Sequence, residues 1–358
     1  MRLKHIPTME QLSTRVNTQD YDITPDLKRL SAQISWKNPP DARPALASQV
    51  EVYLLDELPS HFITKFITAF VDDALHRFIE LGMETLNLSE TNWMYMLMGS
   101  EGRQEQTLHT DQDSALVLGS DVDVEKMLKL GAFVSERLNA LGISYCKGNV
   151  MASNPTWVMS ADAWKKTFRR WVNEPEPMAI MQACIFFDLR SGFGDASLEQ
   201  ELSEYITSLL KGRSGLFFYH MAHNALKHNP PLGFFGGLKR SAKNALDIKK
   251  AMLPITDHAR IYALKHGISH RNTLKRIEAL EEQGLYRGAN AKEIKVMYEF
   301  LTNIRLWHQL ECIKSEKPAD NMINPGSLEP NIQKELIQTL QATKDLQQNI
   351  ALHFRGNF

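Results

Sequence analysis

The sequence predicts an α+β protein: a small mixed β-sheet core with flanking helices, followed by an all-α C-terminal domain. Three observations carry that expectation. Two short apolar runs, "WMYMLMG" at 93–99 and "SALVLG" at 114–119, each end in glycine and read as buried strands. Stretches of helical spacing alternate with strand-like runs, in the order strand, helix, strand, helix, strand. Beyond residue 155 the character changes, and apolar stripes at helical spacing dominate to the end. A chain of 358 residues is more than one compact core usually holds. The expected division is an N-terminal helical arm and linker over 1–60, the sheet-containing core over 61–210 and the helical domain over 211–358.

Taken in order, residues 1–33 alternate polar and apolar positions until "WKNPPDARPA" (36–45) breaks the backbone with Pro39, Pro40 and Pro44. Phe62, Ile63, Phe66, Ile67, Phe70, Val71, Leu75, Phe78 and Ile79 then recur at helical spacing and predict one long helix from 61. After the first strand, a helix is expected to start near Glu101, with Ser100 as its cap. Residues 123–141 predict the next helix, and "ISYCKGNVM" (143–151) alternates enough to predict a third strand. Tryptophans at 157, 164 and 171 and the breakers in "NEPEP" (173–177) precede the helical region. There, Ile294, Met297, Leu301, Ile304 and Trp307 make one stripe, while Ile332, Leu336 and Leu340 start another.

Composition narrows the class. Forty-one Lys and Arg balance forty-two Asp and Glu, so nothing global attracts nucleic acid or anionic lipid, and any charged ligand must be held locally. Cys146, Cys184 and Cys312 are far apart without C-x-x-C spacing, which speaks against a disulfide framework or a zinc site. No apolar run approaches a membrane span, and the N-terminus lacks the apolar segment of a secretion signal. A cytoplasmic protein with neither nucleic-acid nor membrane partners is expected.

The stretch "MGSEGRQEQTLHTDQDSALVLG" (98–119) carries the chemistry. Gly99 and Gly102 let backbone N–H groups approach an anion, and Ser100 can donate to a phosphate oxygen. Asp111 and Asp113 flank Gln112 at the head of the second strand, so both carboxylates share a face and can share a hard cation, Mg²⁺ or Mn²⁺ in its stead. Arg103 supplies a charge-assisted partner for phosphates, and Glu105 can orient it. A phosphate cradle beside a carboxylate-held metal is what phosphoryl-type transfer requires. Elsewhere simpler readings suffice. His220, His223 and His228 read as a helix face, Asp195 as a helix cap, and Lys239, Arg240 and Lys243 as a solvated basic face.

The same stretch resembles the DNA-polymerase-β-like nucleotidyltransferase superfamily, in which a Gly-Ser turn is followed at short distance by Asp-x-Asp. "GRQEQTLHTDQD" is similar to the Gly-Arg-x-Glu and Ser-Asp-x-Asp run of bacterial PII uridylyltransferases and, more loosely, of glutamine-synthetase adenylyltransferases, with Thr110 in place of the usual serine. "CKGNVMASNPTW", "IFFDLRSGFGD", "NPPLGFFGGL", "DIKKAMLPITDHARIYAL" and "NTLKRIEAL" extend the resemblance, in order, to the DUF294 nucleotidyltransferase family across nearly the whole chain. That resemblance implies a core using an NTP to modify a protein or small-molecule acceptor, with a part in signalling. The C-terminal helical region would bind the substrate, with the site in a cleft between the two. Gly99, Ser100, Gly102, Arg103 and Glu105 would hold the nucleotide, and Asp111, Asp113 and Arg103 would act in the transfer.

Two departures from the family pattern matter. About 60 residues precede the long helix, fewer than a cyclic-nucleotide or CBS module needs, so regulation by such a module in the same chain is not expected. "ISYCKGNVM" also lacks the third carboxylate that the superfamily places on its next strand. Asp188 in "IFFDLR" is the candidate to complete the metal site, the alternative being a structural ion pair with Arg190. If no acid completes it, the competing reading is a nucleotide-binding regulatory protein with little or no turnover.

Overall fold

The computed structural model describes residues 3, 5–15, 21–212, 215–230, 232, 237–238, 245–285 and 290–354. Lys239, Arg240 and Lys243 lie outside the described residues. The first half of the chain forms α1 (Met9–Ser13), α2 (Thr24–Ser31), α3 (Arg43–Leu55), α4 (Ser60–Thr85), β1 (Trp93–Leu97), α5 (Gly99–Gly102), β2 (Ser114–Leu118) and α6 (Val124–Leu141). It continues through β3 (Val158–Ser160), α7 (Ala161–Asn173), α8 (Pro177–Phe186), β4 (Arg190–Gly194) and α9 (Ala196–Leu210). The remainder is α10 (Gly215–Ala225), β5 (Leu246–Asp247), α11 (Ile248–Lys265), α12 (Thr273–Glu282), α13 (Ala291–Lys314), β6 (Met322–Ile323) and α14 (Pro330–His353). This is the expected α+β composition. Two compact units result: a sheet unit (Asp22–Leu46, Thr64–Ser214) and a helical unit (Met1–Tyr21, Ala47–Ile63, Gly215–Phe358).

The sheet unit is built on four strands in the order β3-β2-β1-β4. β1 pairs antiparallel with both β2 and β4, while β3 adds parallel to β2, so the sheet is mixed. Every residue of β1 and β2 is buried, which explains why both strands read as continuous apolar runs rather than alternating ones. α6 is bounded as its sequence dictates: Asp123 accepts from the N–H groups of Glu125 and Lys126, and Gly142 ends the helix at φ +107°. Asp195 caps α9 in the same way, accepting from Ser197 N–H.

The third strand differs from expectation. Residues 143–151 form no strand and contribute one bridge, Ser144 to Asp111. Lys147-Gly148-Asn149 closes a turn instead, with Asn149 at φ +53° and its N–H on the Cys146 carbonyl at 2.9 Å, and the extended chain cannot continue through it. The edge beside β2 is taken by Val158–Ser160, in register Leu116 to Val158. The tryptophans just beyond belong to this unit's core. Trp164 is fully buried, donates from Nε1 to the Leu116 carbonyl at 3.0 Å, and lies 6.2 Å from Trp157 and 5.2 Å from Phe186 between ring centroids.

In the helical unit, α11 packs against α10, α12, α13 and α14, and α13 is buried along most of its length. Ile294, Met297, Leu301, Ile304 and Trp307 are all buried, as are Ile332, Leu336 and Leu340 on α14. Buried Glu299 receives the N–H of Ser60 at 2.6 Å and that of His61 at 3.2 Å, a carboxylate satisfying the open donors at the start of α4. No helix among the described residues is long and apolar enough to cross a membrane.

Candidate functional site

The site starts from strand register. Leu97 stands opposite Ser114, and one residue further the Met98 N–H donates to the Asp113 carbonyl at 3.0 Å. The chain then leaves β1 through Gly99, whose φ of +55° lies in the left-handed region. A Cβ at Gly99 would stand 2.4 Å from Asp113 Oδ2, so only glycine lets this backbone meet the carboxylate. Antiparallel pairing of two apolar strands thus folds the glycine turn onto the second aspartate across the intervening loop.

The turn that follows is shorter than a helix beginning at Glu101. α5 spans Gly99–Gly102, its N-cap position is Met98, and no side chain caps it, so Ser100 is a helical residue rather than the cap. Ser100 is half-buried, and its hydroxyl has no hydrogen-bond partner among the described residues.

Gln112 orients the two aspartates. It is buried, its N–H donates to the Ser144 carbonyl at 2.9 Å, and its Nε2 donates to the carbonyls of Ser135 (3.0 Å) and Ile143 (2.9 Å). With Gln112 pinned inward, alternation turns Asp111 and Asp113 to the opposite, partly exposed side. One carboxylate oxygen from each and the Cys146 Sγ all lie within 4.8 Å of one another. Cys146 was not legible as a site residue, because its spacing from the aspartates carries no signal. It arrives through the backbone bridge of Ser144 to Asp111. Burial, and then the Asp113 charge, push its thiol up to about 11, so it stays protonated at neutral pH.

Asp188 lies in a second cluster. It is fully buried, and its Oδ2 accepts from Arg103 Nη1 at 2.8 Å, while Arg103 Nε donates to Glu105 Oε2 at 2.7 Å. The ion pair considered with Arg190 does not form. Arg190 instead meets Asp72 Oδ1 at 2.7 Å and the Glu101 carbonyl at 3.0 Å. Among the described residues, the potential donor that lies with Asp111 and Asp113 is Cys146 rather than Asp188. Gly102 explains the Arg103 contact. A Cβ there would stand 2.1 Å from the Asp188 carbonyl oxygen, so glycine lets α5 lie directly on this backbone.

Glu101 is the residue that sequence reasoning read only as a helix start. It is 2% exposed, and its Oε1 has no hydrogen-bond partner among the described residues. Burial raises its carboxyl to about 8, with Asp72 and Asp113 adding and Arg190 opposing, so at neutral pH it is mostly the uncharged acid. A glutamate inside a polar motif carries no sequence signal of such burial. His220, His223 and His228 do not group as metal donors among the described residues, and His228 Nδ1 lies 3.3 Å from Asp257 Oδ2.

A left-handed glycine turn thus meets paired carboxylates at one end of a mixed sheet. Residues 45–178 match the family model described as "Putative nucleotidyltransferase DUF294", and residues 215–354 match "Putative nucleotidyltransferase substrate binding domain". The chain belongs to the DUF294 nucleotidyltransferase family, and its general role is nucleotidyl transfer. No curated protein matches it.

Proposed function

We propose that the protein is a Mg²⁺-dependent enzyme that moves an NMP group from an NTP to a hydroxyl of a protein or small-molecule acceptor, releasing pyrophosphate. The observation that carries this reading is the approach of Gly99 to Asp113, with Asp111 beside it. The donor set fits a hard cation: two partly exposed carboxylates leave room for water and substrate oxygens. Asp111 and Asp113 would hold the ion, which when bound offsets charge on the phosphate oxygens. Gly99 offers backbone N–H at the turn, and Ser100 its hydroxyl, to the β- and γ-phosphates. Arg103 lends positive charge to the phosphates, while Glu105 and Asp188 hold its guanidinium in place. In this reading Asp188 acts through Arg103.

One observation favours a second reading, a nucleotide-binding regulator that does not turn over: Asp188 is engaged by Arg103, and two carboxylates remain to hold an ion. Labelling separates the two. Incubation with labelled NTPs and a cell extract should transfer label with wild-type protein and lose it with Asp111→Asn and Asp113→Asn; equal labelling by all three overturns the enzyme reading. Tight NTP binding by calorimetry that is indifferent to Mg²⁺, with no pyrophosphate released, supports the regulator.

A further inference from the structure

The helical unit carries a donor cluster outside the nucleotidyl-transfer motif. His308 and Cys312 sit one turn apart on α13, so their side chains share a face of that helix. Asp320 comes from the loop that returns after the helix, and its Oδ1 is 2.8 Å from His308 Nε2, while Cys312 Sγ is 3.7 Å from the same nitrogen. The imidazole nitrogen, the thiol sulfur and a carboxylate oxygen all lie within 4.8 Å of one another.

The loop is fixed by the surrounding fold. Asn321 Oδ1 accepts from Arg305 Nε at 2.8 Å and from Gln309 Nε2 at 3.0 Å, two residues one turn apart on α13. The Asn321 carbonyl accepts from Ile248 N–H at 2.9 Å, and the next residues pair as β6 with β5. Met322 N–H donates to Asp320 Oδ1 at 2.8 Å, and Lys317 N–H to the Cys312 carbonyl at 2.9 Å. Asp320 is thereby held opposite the helix face. The His308 side chain is 16% exposed and that of Asp320 51%, so a solvated ion can reach the donors.

We propose that His308, Cys312 and Asp320 form a binding site for a zinc-type divalent transition ion, with water as the fourth ligand. The chemistry of the set selects the metal. Sulfur and imidazole disfavour Mg²⁺ and Ca²⁺, whereas nitrogen, sulfur and one carboxylate together suit Zn²⁺. Ordinary Zn²⁺ bond lengths at tetrahedral angles require N···S of about 3.5 Å and N···O of about 3.4 Å. The N···S separation of 3.7 Å already meets the first requirement, and the N···O separation of 2.8 Å must open by about 0.6 Å as the ion replaces the His308–Asp320 hydrogen bond. Binding releases the Cys312 thiol proton to solvent, leaving the thiolate as ligand, and the proton on His308 Nε2 that makes the hydrogen bond to Asp320 leaves that nitrogen, the ring taking the Nδ1–H tautomer, so that the Nε2 lone pair is free to ligate. The bound ion ties the end of α13 to the strand pair β5–β6.

The test uses Co²⁺ as an optical substitute for Zn²⁺ on the full-length, chelator-treated protein. Because Cys146 lies near two other potential donors, Cys146→Ser serves as the background that silences that group. Expected in that background is a thiolate-to-cobalt charge-transfer band that saturates at one equivalent, disappears in Cys146→Ser/Cys312→Ser and is displaced by Zn²⁺. His308→Ala and Asp320→Asn should each weaken Co²⁺ binding by more than the roughly tenfold that loss of an outer-shell partner costs. Zn²⁺ should raise the Tm of Cys146→Ser and leave that of Cys146→Ser/Cys312→Ser unchanged. Absence of the band from Cys146→Ser, or its survival in Cys146→Ser/Cys312→Ser, overturns the site. Neither outcome bears on NTP labelling through Asp111 and Asp113.

Discussion

Replacing Glu101 by glutamine tests how the motif's buried acid is kept neutral. In the folded protein its carboxyl is raised from 4.5 to about 8, chiefly by burial, whereas the unfolded chain ionises at the ordinary value. Between those values the native state retains a proton that the unfolded state has released, so stability is greatest below the lower value and falls as pH rises toward the higher one. Each unit of that window is worth about 1.4 kcal/mol. Going from about pH 6 to about pH 8 therefore costs the wild type about 2 kcal/mol that Glu101→Gln does not lose. For a folding unit the size of the sheet unit, this corresponds to about 4–8 °C in Tm. Thermal unfolding followed by emission of the buried Trp93 and Trp164 reads it directly. The variant's Tm advantage should grow across that interval. A difference that stays constant with pH would refute the assignment of an uncharged Glu101.

Gly99→Ala puts a methyl group 2.4 Å from Asp113 Oδ2 at a left-handed φ, and should lower labelling by about a hundredfold through displaced reacting groups while the circular dichroism stays native; wild-type kinetics would refute it. Arg103→Met removes the guanidinium that bridges two buried carboxylates, and a loss of about 3–5 kcal/mol in denaturant unfolding is expected. A loss under about 1 kcal/mol would show that the bridge contributes little net stability. His258 is buried, with its ring pKa pushed down to about 3 by burial and then by His353, so its contribution has the opposite pH dependence. It is fully present above the ordinary 6.5 and is lost as pH falls toward 3, because the unfolded chain then gains the proton first. Hydrogen exchange of α11 should show wild type losing about 2–3 kcal/mol between pH 6.5 and about 4.5 relative to His258→Asn.

The sequence by itself determined the elements whose signals are local. The stripe from Phe62 to Ile79 became α4, the runs at 93 and 114 became β1 and β2, and Asp123 and Gly142 bounded α6, because spacing and capping act within a few residues. The approach of Gly99 to Asp113 was also legible, since two short apolar strands joined by one loop bring their adjoining ends together. Tertiary structure decided the remainder. Whether residues 143–151 or Val158–Ser160 would line β2 depended on the Gly148-Asn149 turn and on competition for one sheet edge. The partner of Asp188 depended on how closely Gly102 lets α5 approach it, and the burial of Glu101 depended on what covers the motif. Cys146 joined the aspartates through a backbone bridge, and Asp320 joined His308 and Cys312 through a pinned loop. Such meetings are fixed by packing among segments distant in sequence, and periodicity and spacing are blind to them because they record only neighbours along the chain.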